Sequence, residues 1–243
     1  MKTLVVHSFE QVNERLKNET RTLNDHGYDV DLLLWQRGDL DQEQRTEAEK
    51  SELNIEYVEV DAPFGSWTIL LYLPILYVKL AAYILRHDHD ILHCTHLILL
   101  PITVVTGKIC GKKIVYDAFE FYALDLHAYV PSKIDHRFRK SHLEAIENSL
   151  VRHADGIVTI DSAGDHLITR YREYNRNSTV LYNVPTLDDL PTESASVELP
   201  PVYEETNLVV YVGGIAKSKG VLDIIRAANE IDLDAYNCRI LFI

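Results

Sequence analysis

Lys219 and the glycines beside it are the residues of this sequence best suited to hold a charged ligand. The stretch GGIAKSKG (213–220) follows the apolar run 208–212 and precedes a helix-like segment starting at Val221. Gly213 and Gly214 would let the backbone pass close to a ligand. A helix N-terminus presents free N–H groups and a partial positive charge, which attract phosphate, and Lys219 adds a full charge there. The plain alternative is a helix entry with a solvated lysine. The turn is neither a Walker loop nor a GxGxxG. A second set of candidates lies where apolar β-type runs end: Ser8, His96, Asp117 to Glu120, Asp161 and Asn183. Asp117 and Glu120 could bind a hydroxylated substrate or act as a base. They could equally be a turn aspartate and a surface glutamate.

His87, His89, His93 and His96 resemble a metal-binding run. If 91–94 is a strand, His89 and His93 stand roughly 13 Å apart along it, at ~3.3 Å per residue. A zinc-type ion with bonds near ~2 Å cannot be surrounded that way, so no metal is expected. His96, at the end of the run, remains a polar contact.

The elements that must position these residues alternate. Strands are expected over 3–7, 30–35, 55–60, 91–94, 113–117, 156–160 and 179–182. Helices are expected over 12–26, 67–86, 97–109, 134–153 and 163–173, with 36–54 a loop carrying some helix. Such alternation implies right-handed crossovers, hence an α/β, Rossmann-like parallel sheet covered by helices on both faces. Ligands of open parallel sheets sit beyond the carboxyl ends of the strands, which is where the second set falls. Residues 184–206 hold Pro185, Pro191, Pro200 and Pro201, many acids and no apolar period, and read as a linker. This gives a first domain over 1–183, a linker over 184–206, and the opening of a second Rossmann-like domain over 207–243. That second part, strand–helix–strand, is expected to be incomplete, being too small for a core of its own.

Of 243 residues, 47% are hydrophobic and 25% charged, which excludes a mostly disordered or collagen-like chain. The net charge of −13 argues against a nucleic-acid partner, since a phosphate backbone needs a Lys/Arg surface. Three scattered cysteines do not make a disulfide framework, and no signal peptide is read at the start, so a cytoplasmic location is expected. Residues 67–85 hold one charge, Lys79, and three tyrosines with Trp67. They read as a buried crossover helix, a helix dipping into a membrane surface, or a span. Peripheral contact with the inner face of a membrane is thus an open expectation.

Four stretches together resemble the group 1 glycosyltransferases of family 4, which have the two-domain GT-B fold. DILHCTH (90–96), KIVYDAFE (113–120), ENSLVRHADGIVTI (147–160) with Asn183, and VVYVGGIAKSKG (209–220) follow the family's order and spacing. The resemblance implies transfer of a sugar from a nucleotide-diphosphate sugar, with retention, to a glycan, lipid-linked or small acceptor. It implies no cofactor beyond the nucleotide-sugar co-substrate. Gly213, Gly214 and Lys219 would hold the donor diphosphate, with Lys219 stabilising charge on the leaving group. Ser8, His96, Asp117, Glu120 and Asn183 would line the acceptor cleft. Three positions depart from the pattern: the first turn, Ser8 to Gln11, lacks glycine; Phe119 replaces a histidine; and Gly214 replaces a frequent arginine. The family's paired glutamates lie beyond residue 243, so weak or no transfer by 1–243 alone is expected. A nucleotide-sugar 2-epimerase and a non-enzymatic binding or partner subunit are the competing readings.

Overall fold

The protein is described by a computed structural model covering residues 1–38, 53–63, 67–120, 122, 136–160, 167–182, 203, 205–213, 215 and 220–243. It divides into two compact units, Met1–Leu187 and Asp188–Ile243. The segment expected to be a linker lies outside the described residues over 184–202 and at 204.

The first unit is a parallel sheet of β1 (Lys2–His7), β2 (Asp29–Gln36), β3 (Asn54–Glu59), β4 (Ile91–Cys94), β5 (Lys113–Ala118), β6 (Gly156–Thr159) and β7 (Ser178–Val180), in the order β3-β2-β1-β4-β5-β6-β7. The described helices are α1 (Glu14–Asp25), α2 (Leu73–Arg86), α3 (Leu100–Cys110), α4 (His136–Val151) and α5 (Leu167–Tyr174). The order reverses direction at β1, where the chain goes first to β2 and β3 and later to β4. The register places Thr3 beside both Val30 and Ile91, and Val115 beside Gly156. Central strands buried on both faces need apolar side chains on both, which is why LVV of β1 and LLLW of β2 read as unbroken apolar runs.

Alternation along each strand splits the core in two. Leu4, Val6, Leu33, Leu92, Ile114, Tyr116 and Ile157 face α2 to α5, packing on Leu76, Leu80, Ile84, Val104, Val151 and Tyr171. Val5, Val30, Leu32 and Leu34 face the other way, against Leu16 of α1. Helices therefore lie on both faces, as the sequence implies. Several boundaries shift from the sequence reading, the helix expected over 97–109 running Leu100–Cys110, and two shifts have a clear physical cause. Helix α1 starts at Glu14 rather than near Val12, because the Asn13 side chain caps it by accepting from Leu16 N–H at 2.8 Å. The stretch 67–86 is not one helix: a 3₁₀ turn (Trp67–Leu71) precedes α2, and Pro74 sits in the first turn of α2, where its missing N–H costs nothing. Among the described residues no helix is long and apolar enough to cross a membrane.

The second unit pairs β8 (Asn207–Tyr211) with β9 (Cys238–Phe242) in parallel, joined by α6 (Val221–Glu230). Among its described residues only Val221 is buried.

Candidate active site

Beyond the carboxyl ends of β1, β4 and β5 lies a cluster of rings. His7 stacks on Phe119 (centroids 6.2 Å apart) and tilts against Phe9 at 5.6 Å. Phe9 meets the edge of His96 at 6.1 Å, and His96 packs on Tyr122 at 4.0 Å. Two guanidinium groups flank the cluster: Arg15 lies 5.7 Å from the Phe119 ring, and Arg37 lies 5.6 Å from Phe9 and 4.2 Å from Trp35.

Both imidazoles are neutral. Burial pushes His7 down to about 4, with Asp117 pulling weakly the other way. Burial, helped by His7 and Arg37, pushes His96 down to about 3. Nδ1 of His96 accepts from Ile98 N–H at 3.1 Å, so the proton of the neutral ring sits on Nε2. His7 Nδ1 shares a hydrogen bond of 2.7 Å with the Thr95 hydroxyl, which also reaches Val6 O at 3.3 Å.

A second constellation lies on the α1 side of the sheet. Arg15 donates to Asp117 twice, Nη2 to Oδ1 at 2.8 Å and Nε to Oδ2 at 3.3 Å. The same guanidinium also donates to Leu181 O at 2.9 Å, tying β5 to the end of β7. Glu19, one turn along α1, places Oε1 2.8 Å from Arg15 Nε, but that N–H is aimed at Asp117. His93 Nε2 sits 3.7 Å from Asp117 and 4.0 Å from Glu19. Burial disfavours charge on Asp117, but His93 and Arg15 outweigh it and hold the carboxyl below its usual range. Burial likewise opposes charge on His93, yet Asp117 and Glu19 pull it upward. Glu19 goes up to about 7, first through burial and then through Asp117, against the opposing pull of His93 and Arg15. The ligand atoms of Glu19, His93 and Asp117 lie within 4.8 Å of one another, close enough to share a cation. The Arg15 guanidinium already stands among them as that cation. Above the cluster opens a cavity of about 970 Å³, walled by α1 and floored by Ile91, Val115 and Val158.

The sequence candidates fall as follows. His96 belongs to the ring cluster. Ser8 is buried at its edge; its carbonyl accepts from Arg37 at 3.0 Å, and its hydroxyl has no hydrogen-bond partner among the described residues. Asp117 is fully buried and engaged by Arg15, so it positions the guanidinium rather than facing solvent. Glu120 is exposed and lines the cavity. Asn183, Asp161, Gly214 and Lys219 lie outside the described residues. Gly213 has φ +148° and Gly220 φ +76°, a region that favours glycine; a Cβ on Gly213 would come within 3.4 Å of the Tyr211 hydroxyl. Gly220 leads directly into α6, whose first turn carries Asp223, paired with Arg226 at 3.0 Å.

The histidine run disperses. His89 Nε2 donates to Asp31 at 2.8 Å, His87 bonds the Tyr83 carbonyl, and His93 joins Asp117. Sequence reasoning missed Arg15, Glu19 and His7. The available signal was Arg15 and Glu19, four apart, beside the inward-facing Leu16 and Thr20.

No family model and no curated protein sequence matches the chain. Solved structures do resemble it. Sucrose-phosphate synthase from Thermosynechococcus elongatus superposes with a TM-score of 0.67 at 12% identity, over 100% of this chain and 62% of its own. HepE from Anabaena, in complex with UDP and glucose, gives 0.60 at 14% identity, over 100% and 69%. The lipopolysaccharide outer core galactosyltransferase WaaB, in its apo form, gives 0.58 at 13%, over 100% and 68%. The chain therefore spans about two thirds of the length of these proteins. At such identities the likeness establishes the fold, an α/β Rossmann-like architecture shared with glycosyltransferases.

Proposed function

We propose that this chain belongs to a GT-B glycosyltransferase of the family 4 type. Such an enzyme moves a sugar from a nucleotide-diphosphate sugar to a glycan, lipid-linked or small acceptor with retention. The observation that carries this reading is the superposition of the entire chain on structures such as the one holding UDP and glucose. The site chemistry supports it. A ring cluster with neutral His7 and His96 suits the apolar face and hydroxyls of a sugar acceptor. In this reading Gly213, Gly214 and Lys219 hold the donor's diphosphate, and Lys219 offsets the charge that builds on the leaving group.

One observation favours a binding role without catalysis. Phe119 puts a ring with no proton to transfer between His7 and Tyr122. Calorimetric titration with UDP, and then with UDP- and GDP-sugars, tests both readings, followed by product analysis with and without added acceptor. Binding of a nucleotide sugar that weakens about tenfold or more in Lys219→Ala supports the donor assignment, since loss of a charge-assisted contact costs that much. Binding without transfer in the full-length protein favours the binding role. No binding of any nucleotide sugar refutes the transferase reading and favours a non-enzymatic partner subunit.

A further inference from the structure

Sugar transfer leaves the constellation on the α1 side of the sheet without a task. Glu19 lies on the second turn of α1 and His93 within β4, set back from the carboxyl ends of the strands where the rings gather. Both side chains line the cavity of about 970 Å³ and are nine-tenths buried. Among the described residues, neither oxygen of the Glu19 carboxyl accepts a hydrogen bond, and His93 Nε2 has no hydrogen-bond partner. The Thr3 hydroxyl, also in the cavity wall and buried, has none either. Arg15 does not fill the gap, because it aims its N–H groups at Asp117 and the Leu181 carbonyl. A buried polar group without a partner is costly, and three around one cavity call for a ligand that supplies the missing bonds.

The walls select the chemistry of that ligand. Ile91, Val115 and Val158 form the floor, and Leu23, Tyr28 and Leu181 extend it, so the ligand's body is apolar. The volume is that of sites which enclose a small organic molecule. Its head is uncharged. Two acids, Asp117 and Glu19, face two bases, Arg15 and His93, and with Glu19 and His93 both charged or both neutral the cluster balances without a ligand. At the rim Glu14 is paired with Lys17 at 2.7 Å, and Glu120 is exposed to solvent. A ligand cation would crowd Arg15 and His93, and an anion would crowd Asp117 and Glu19. A hydroxyl suits both sides: its hydrogen goes to the Glu19 carboxyl, and its oxygen accepts from His93 Nε2–H or from the Thr3 hydroxyl.

We propose that this cavity binds an uncharged apolar molecule carrying a hydroxyl, with the O–H held by Glu19. The site stands apart from sugar transfer, and the test reads binding alone, so the two can fail separately. The full chain is dialysed to equilibrium at neutral pH against naphthol, naphthalene, naphthoate or naphthylmethylammonium. Naphthol binds about tenfold or more tighter than naphthalene, the gain of a hydrogen bond to a charged acceptor, and is preferred over either ion by a similar factor. Glu19→Leu leaves naphthalene binding in place and brings naphthol to within about twofold of it, since only the hydroxyl's partner is lost. Val158→Trp fills the floor and weakens both by about tenfold or more. Urea midpoints show whether the variants are folded; if Val158→Trp is not, Glu19→Leu decides. The proposal is overturned by absence of naphthol binding, by a preference for naphthalene or for either ion, by a hydroxyl preference that survives Glu19→Leu, or by binding that a folded Val158→Trp leaves intact.

Discussion

Replacing Glu19 by glutamine should make the protein more stable at pH 8 while changing little at pH 5. Glu19 is enclosed by α1 and the sheet, beside the carboxylate of Asp117. Its pKa rises from 4.5 to about 7, so between those values the folded chain holds a proton that the unfolded chain has released. Stability from this group is therefore fully present below 4.5 and is lost as pH rises through about 7. The gap between the two values, at about 1.36 kcal/mol per pH unit, sets a ceiling of about 3 kcal/mol. Glutamine cannot ionise, so the variant escapes the loss. Other groups titrate over this range, so the informative quantity is the difference between variant and parent at each pH. Urea unfolding followed by fluorescence of the buried Trp35 measures it. With a slope of roughly 2–3 kcal/mol per M, the midpoints should separate by on the order of 1 M at pH 8 and converge at pH 5. If the difference stays flat from pH 5 to 8, the argument is wrong. It is equally wrong if glutamine destabilises at pH 8, because the Arg15 contact at 2.8 Å would then dominate and Glu19 would be an ordinary paired carboxylate.

Glu147→Ala should cost about 3–5 kcal/mol in the same unfolding assay, because it strips a fully buried carboxylate from Arg170 and from the Tyr116 and Tyr171 hydroxyls, each at 2.8 Å; a loss below about 1 kcal/mol would contradict the network. Nitrogen chemical shifts of the histidines should show His96 neutral at pH 5 and protonated on Nε2. Its pKa of about 3 lies below the ordinary 6.5, so its contribution to stability is present above 6.5 and lost as pH falls toward 3; an imidazolium signal at pH 6 would rule this out. Gly107→Ala should cost about 1–3 kcal/mol by overpacking, since its Cβ would stand 2.8 Å from Ile114 Cγ1. An unchanged melting temperature would show that Ile114 moves aside freely.

The local pattern was sufficient for the elements and the sheet. Apolar runs such as LVV and LLLW fit strands buried on both faces, Gly27 stops the first helix at φ +81°, and strand–helix alternation leaves little choice but a parallel sheet. These signals are short-range, so one chain read left to right contains them. The placement of His96 and Ser8 at the carboxyl edge was legible for the same reason, since strand ends can be found locally. What tertiary structure alone decided was the partnering of charge. Asp117 read as a substrate contact, a base or a turn aspartate at a strand end, yet Arg15, 102 residues earlier, neutralises it. His93 read as part of a histidine run, yet it faces Glu19 from α1. His89 left the same run to bond Asp31, 58 residues away. Burying an ionised group is costly enough that the fold must supply a counter-charge. Which residue supplies it depends on which elements the crossovers bring together, and no spacing in the sequence encodes that.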